Sequence, residues 1–261
     1  MALLIGLVVL VAAVFGGAVV IAHKSSSPAA IQSPAQANTG LYAAAVASGS
    51  FHYVDFSSGT DGGHPVTSSQ SGDDGRTEGV QYNTSAFGDS EVIVINSMAY
   101  MRSDLTMLEN TFGYSLGEAA PYVNRWIAFS PTDSLYSSIA ADVTTGSTWG
   151  KPSLSPTDGL PHTPLSVSAV SGQPLQSLRY SIRGTNRAAN ASYTGSESIA
   201  FSAVSPHLPS TLTEQVSGVV AHQSSSEVLK ETFSHWGESV AIAAPTDTVP
   251  FSALPAPSTT T

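Results

Sequence analysis

Gly113-Tyr114-Ser115-Leu116-Gly117 spells G-x-S-x-G, the sharp turn on which many hydrolases mount a serine nucleophile. That turn needs a buried strand before the serine and a helix after it. Here a helical pattern, Leu105, Leu108 and Phe112, comes first, and Glu118 follows Ser115 at the spacing of a capping box. Ser115 is therefore read as the cap of a short helix, and the chain as non-enzymatic. The seven histidines include no H-E-x-x-H pair, and His64, beside Gly62-Gly63, falls in a loop. Asp61, Asp73, Asp74 and Glu78 crowd one stretch without the alternating Asp/Asn register of a calcium loop, and are expected to be solvated acids. No catalytic, metal or cofactor residue is expected.

Chemistry of another kind rests with the large apolar side chains. Met98, Tyr100, Trp126, Phe129 and Trp236 are the candidates to line an apolar cavity, and flexible Met suits a pocket that accepts varied chains. Plain packing between sheet and helices explains the same residues equally well. Arg179, Arg183 and Arg187 share one side of a strand and its extension. They are expected to form a polar outer face that discourages edge pairing, the competing role being contact with anionic lipid heads. Asn83-Thr84-Ser85 and Asn190-Ala191-Ser192 are glycosylation sequons.

Composition narrows the class. Charged residues are 11% of the 261, and nine Lys and Arg against nineteen Asp and Glu leave a net charge of −10. Such scarcity of charge, with abundant Ser, Thr, Gly and Pro, fits an exported β-rich protein. No two basic residues are adjacent, so the electrostatic footprint of nucleic-acid binding is missing. The absence of cysteine excludes disulfides, thiol catalysis and an N-terminal lipid thioether.

Ala2 to Ala22 holds no charged residue, and at about 1.5 Å per residue a helix of this length spans about 31 Å of bilayer. Ala35-Gln36-Ala37 offers a cleavage site, but it lies well past the apolar run and no basic segment precedes that run. An uncleaved single-pass anchor over residues 1–22 is expected, with a flexible linker at 23–37, the main domain at 38–245 outside the cytoplasm, and a disordered tail at 246–261.

Within the domain, Asn38 or Thr39 is expected to cap a short helix that Gly49 stops. A strand over Phe51–Phe56 leads through a Gly/Asp/Ser loop to a second over Gly75–Asn83. Glu91 to Asp104 is apolar on both sides and reads as one long central strand covered twice. Asp104 caps the helix of Leu105, Leu108 and Phe112, Arg125–Phe129 returns as a strand, and two helical turns fall in Asp133–Lys151. Alternation of period two then marks Leu165–Ala169, Leu178–Arg183, Ile199–Ala203, Leu212–Val216, Val219–Gln223, Leu229–Ser234 and Ser239–Ala244. Such spacing predicts a sheet that curls into a barrel or sandwich.

The order of these pieces, with NRWIAF (124–129), the Leu208-Pro209 step and FSHWGESVAIAAP (233–245), resembles the LolA-like half-barrel family, in particular the mycobacterial-type surface proteins LppX and LprG. The resemblance covers residues 38–245 and rests on packing and turn positions. It implies an α+β fold, mainly antiparallel β: a curved open half-barrel sheet with short helices over its concave face, here behind one N-terminal transmembrane helix. It implies a lipid or lipid-like ligand in an apolar cavity, no nucleic acid, residence at the cell envelope, and the alternative of a filled cavity that meets an envelope protein partner. Those relatives are usually anchored by a lipidated cysteine, for which residues 2–22 are expected to substitute here.

Overall fold

Asn96 and Ser97 both take left-handed backbone, with φ of 53° and 60°, and their turn divides Glu91–Asp104 into two strands. Asn tolerates this geometry well, and two consecutive positive φ values between strands make the tight connection whose twist suits a hairpin. The single central strand expected over this stretch is thus a hairpin, β4 (Gly88–Ile95) and β5 (Met98–Ser103). The fold also changes which residues share a face. Val92 and Val94 lie opposite Met101 and Ala99, while Met98 and Tyr100 go to the other side with Ile95 and Ile93.

The computed structural model describes residues 33–255 apart from 142, 158, 187–190 and 221. In chain order the remaining elements are α1 (Pro34–Ser48), β1 (Phe51–Asp61), β2 (His64–Asp74), β3 (Gly79–Ser85), α2 (Leu105–Phe112), α3 (Leu116–Ala119), β6 (Trp126–Phe129), α4 (Tyr136–Ile139), α5 (Thr145–Trp149), β7 (His162–Ala169), β8 (Leu175–Asn186), β9 (Ala191–Ser202), β10 (Pro209–Val220), β11 (Gln223–Ser234) and β12 (Thr248–Pro250). The strands form one sheet of twelve in the order β12-β6-β5-β4-β3-β2-β1-β11-β10-β9-β8-β7. Every described pairing is antiparallel except β12 on β6.

One helix shows that this sheet bends. Leu41, Tyr42 and Ala45 of α1 belong to a buried cluster with Phe51, Tyr53, Phe233, Leu229, Leu212, Ile199, Phe201, Leu178 and Tyr180, and Val167 packs on its margin. Those residues come from six adjacent strands, which laid flat would span about 24 Å, whereas a helix is only about 10 Å across. The sheet must therefore wrap around α1. Trp149 of α5 fills the remaining space, fully buried, with its ring 5.2 Å from Tyr42 and 5.1 Å from Phe233. A second cluster on the same inner face joins Val92, Val94, Ala99, Met101, Ile127 and Phe129 to Leu108 and Phe112 of α2, with Phe251 and Leu254 packed against it. Close approach fixes glycine at two inner positions. A Cβ on Gly79 would lie 1.7 Å from the Val143 carbonyl, and one on Gly195 would lie 2.2 Å from that of Gln215.

Several local signals act as read. Asp104 caps α2 through Met107 N–H, Ser115 and Glu118 form the capping box of α3, and Gly49 ends α1 at φ 81°. Others differ. Helix α1 starts at Pro34, inside the expected linker, because Ser33 and Gln36 build a capping box ahead of a proline at the first turn. The Gly/Asp/Ser stretch after β1 is β2, a strand of small polar residues whose backbone pairs along all eleven positions with β1. Ser239–Ala244 is not a strand; from His235 to Asp247 the chain crosses the ends of several strands before β12. Residues 248–253 of the expected tail form β12 and a short 3-10 turn, because Phe251 stacks 5.0 Å from Phe129. The expected anchor at 2–22 lies outside the described residues. Among the described residues no helix is long and apolar enough to cross a membrane.

Both borders of the sheet carry proline. Pro250 sits in β12, and Pro164 of β7 stands at a register break against β8, where a missing N–H weakens further pairing.

Burial predicts unequal costs on the two faces. Trp149→Ala should destabilise the fold by about 3–5 kcal/mol, the range for a large buried aromatic. Phe56→Ala on the outer face, where Phe56 is 43% exposed, should cost under about 1 kcal/mol. Urea unfolding monitored by tryptophan fluorescence and circular dichroism measures both.

Candidate functional site

The inner face carries carboxyl groups as well as oil. In β1, β9, β10 and β11 the inward positions include Asp55, Glu197, Glu214 and Glu231, each no more than 5% exposed. Register aligns them in two neighbouring rows, Leu178–Ile199–Leu212–Glu231–Asp55–Gln70 and Tyr180–Glu197–Glu214–Leu229–Ser57. Glu197 therefore faces Glu214 directly, and Asp55 faces Glu231.

Each pair is managed locally. His162 Nδ1 lies 3.0 Å from Glu197 Oε1 with both side chains fully buried, and the Tyr180 ring stacks on the imidazole at 4.0 Å. Tyr180 donates to Asn38 Oδ1 at 2.9 Å, and Asn38 in turn donates to the Pro152 carbonyl at 2.8 Å. Ser155 donates to Glu214 at 3.1 Å. These bonds sew α1 and the 150–161 loop over the second row. Asp74 accepts from Thr148 at 2.9 Å and pins α5 to β2. The Asp55 carboxyl accepts from the Gln70 backbone, while its Oδ1 has no hydrogen-bond partner among the described residues. Burial, reinforced by the Glu227 carboxylate, pushes the Asp55 carboxyl up to about 9. Burial and the nearby Asp74 likewise hold the Tyr53 phenol well above its ordinary range.

On this face Leu41, Phe51, Trp149, Tyr180 and Phe201 pack together, fully buried or nearly so. A groove of about 940 Å³ opens between the β4–β5 turn, α4, the start of α5 and the crossing segment. Val94, Ile95, Tyr136, Ala140, Val240 and Ile242 give its wall apolar surface, and Arg76, Lys151 and Glu78 stand on it as charges. Neither Arg76 nor Lys151 has an ion-pair partner among the described residues. Another open groove, of about 970 Å³, lies at the far ends of β8–β11 among Ser, Thr and Gly with Arg183 and Tyr193.

The five cavity candidates do not converge. Phe129 faces inward in the second cluster, and Trp236 packs against the first, its Nε1 donating to the Pro209 carbonyl at 2.9 Å. Met98, Tyr100 and Trp126 alternate to the outer face, where Arg102 lies 4.9 Å over the Trp126 ring. Arg179 and Arg183 are exposed on the outer face of β8, as a polar face requires, and Arg187 lies outside the described residues, as does Asn190. Asp74 is fully buried, unlike the solvated acid expected there.

No family model matches the chain, and no curated protein matches it. Solved structures similar to it include a LolA superfamily protein from Nitrosomonas europaea, with 9% identity, 80% of this chain and 96% of that one covered, and a TM-score of 0.31. A DUF1329 family protein from Desulfovibrio piger shares 10% identity over 80% of this chain and 96% of its own, at a TM-score of 0.28. An outer membrane lipoprotein-sorting protein domain from Vibrio parahaemolyticus shares 7% over 79% and 92%, at 0.29. At such scores these likenesses decide nothing, and the open, mainly antiparallel curved sheet with a few short helices stands on its own strand order.

The raised Asp55 fixes a sign for pH dependence. A carboxyl protonated in the fold and ionised when unfolded contributes stability that is full below about pH 4 and is lost as pH rises towards 9. Asp55→Asn should remove that slope and gain on the parent steadily between pH 5 and 9. Urea midpoints of both proteins across this range check it; parallel curves would refute it.

Proposed function

We propose that the chain is a LolA-like half-barrel of the cell envelope, non-enzymatic, that binds an amphipathic, lipid-like ligand in the groove at the strand ends. The observation that carries this reading is the 940 Å³ groove in which Val94, Ile95, Val240 and Ile242 stand among polar residues, beside Glu78 and two cations that have no ion-pair partner among the described residues. That volume falls within the usual range of about 300–1,000 Å³ for ligand sites. Eight methylenes laid against Val94, Ile95, Val240 and Ile242 would contribute about 6 kcal/mol before ordering costs. Arg76 and Lys151 would receive a polar or anionic head at the rim. Residues 2–22 would hold the domain at the membrane, and Ser115, engaged with Glu118 at 2.7 Å, would serve only as a cap.

A second reading is favoured by the packed inner face: a half-barrel whose hollow is filled and which meets an envelope protein partner through its outer surface. The two separate cleanly. Full-length protein purified from its own host should carry a lipid in native mass spectrometry and bind a fluorescent fatty acid. Val240→Arg with Ile242→Arg should weaken that binding at least tenfold without altering the circular dichroism. Arg76→Glu with Lys151→Glu should weaken a fatty acid more than the corresponding alcohol. A parent protein that carries and binds neither would leave the filled module standing.

A further inference from the structure

Away from the groove, three side chains meet where β1 enters the sheet beside β2 and the end of β11. His52 Nδ1 lies 3.0 Å from Asp73 Oδ1 on the neighbouring strand. On the opposite side, the His235 ring stands 5.7 Å from the His52 ring, centre to centre, tilted by 39°. His235 follows directly on β11 with φ of 52°, a left-handed conformation that costs a non-glycine residue energy.

The imidazole of His52 is thereby polarised along one axis. Its Nδ1 edge meets β2, where the carboxylate fixes the proton on Nδ1 and leaves Nε2 as the nitrogen with a free lone pair. Neither Nε2 of His52 nor the ring nitrogens of His235 form a hydrogen bond with a described residue. A carboxylate behind a histidine, holding its tautomer and raising the basicity of the far nitrogen, is the arrangement found behind metal-ligating imidazoles. With metal–nitrogen bonds of about 2.1 Å, two imidazoles on one ion hold their ring centres about 5–6 Å apart. The separation here fits.

We propose that His52 and His235 bind a divalent transition ion of the imidazole-preferring kind, Zn²⁺ or Cu²⁺, with Asp73 as the positioning residue. Among the described residues no three His, Asp or Glu side chains have metal-ligand spacing, so water completes the coordination and the site is a two-imidazole one. His52 and Asp73 are 31% and 50% exposed, which leaves a path for the ion and for its waters. A net charge of −10 favours cations throughout. The ion would join β1 to the first residue of the segment that runs on to Val240 and Ile242, and so steady one wall of the groove.

The test is calorimetric titration of the full-length chain with zinc chloride alone at pH 7.5. The parent should bind one ion saturably, and His52→Ala and His235→Asn, the latter tolerant of left-handed backbone, should each weaken it more than tenfold. Asp73→Asn should weaken it about tenfold, and His64→Ala should leave it unchanged. Substoichiometric Cu²⁺ should broaden the imidazole NMR signals of His52 and His235 before those of other histidines. Absence of saturable binding in the parent overturns the proposal, as does undiminished binding in the His52→Ala/His235→Asn double variant.

Discussion

The contact between α1, Trp149 and six strands sets the shape of everything else. A sheet that must lay residues from β7 through β1 against one narrow helix can do so only by curling, and the curl turns one face of every strand into an interior. Once curled, the inner positions cannot be chosen singly. A glycine, an aromatic or an acid in one strand is answered by its register partner in the next, as Gly195 and Glu197 show against Val216 and Glu214.

This explains why so much polarity sits inside. A dry acid is costly unless it is protonated, paired or hydrogen-bonded, and each of those answers appears on this face. Glu197 has His162, Glu214 has Ser155, Asp74 has Thr148, and Asp55 is pushed towards its neutral form. Thr148 belongs to α5, Ser155 to the loop between α5 and β7, and His162 opens β7, so the acids help orient the cover that the apolar cluster holds. Burial supplies the force, and these bonds supply the register of lid on sheet.

Much of this was legible in the residues. Period-two alternation located much of β7 to β11, though it also marked Ser239–Ala244, which is not a strand, and Val219–Gln223, where one strand ends and the next begins; the caps at Asp104, Ser115 and Gly49 located helix ends, because both signals are local. The central hairpin was hidden, since Asn96-Ser97 interrupts an apolar run whose composition is otherwise uniform. That one turn put Met98 and Tyr100, two of the five cavity candidates, on the face opposite Val92 and Val94. β2 escaped because Ser, Thr and Gly carry no alternation, and its pairing is set by β1. The buried acids were in plain view: Asp55, Glu197, Glu214 and Glu231 occupy the same parity as the apolar residues around them. The groove was not legible, since its wall joins residues from 76 to 242 that only the crossing segment brings together.

The borders of the sheet have a consequence for how the molecule keeps company. An open sheet, unlike a closed barrel, offers two rows of unpaired backbone to any passing extended peptide. Here one row is shielded by a three-residue parallel strand that ends in Pro250, and the other is interrupted at Pro164. Strand-by-strand growth into fibres or swapped dimers therefore meets an obstacle at either margin, and the curved surface can stay open without becoming a template for aggregation.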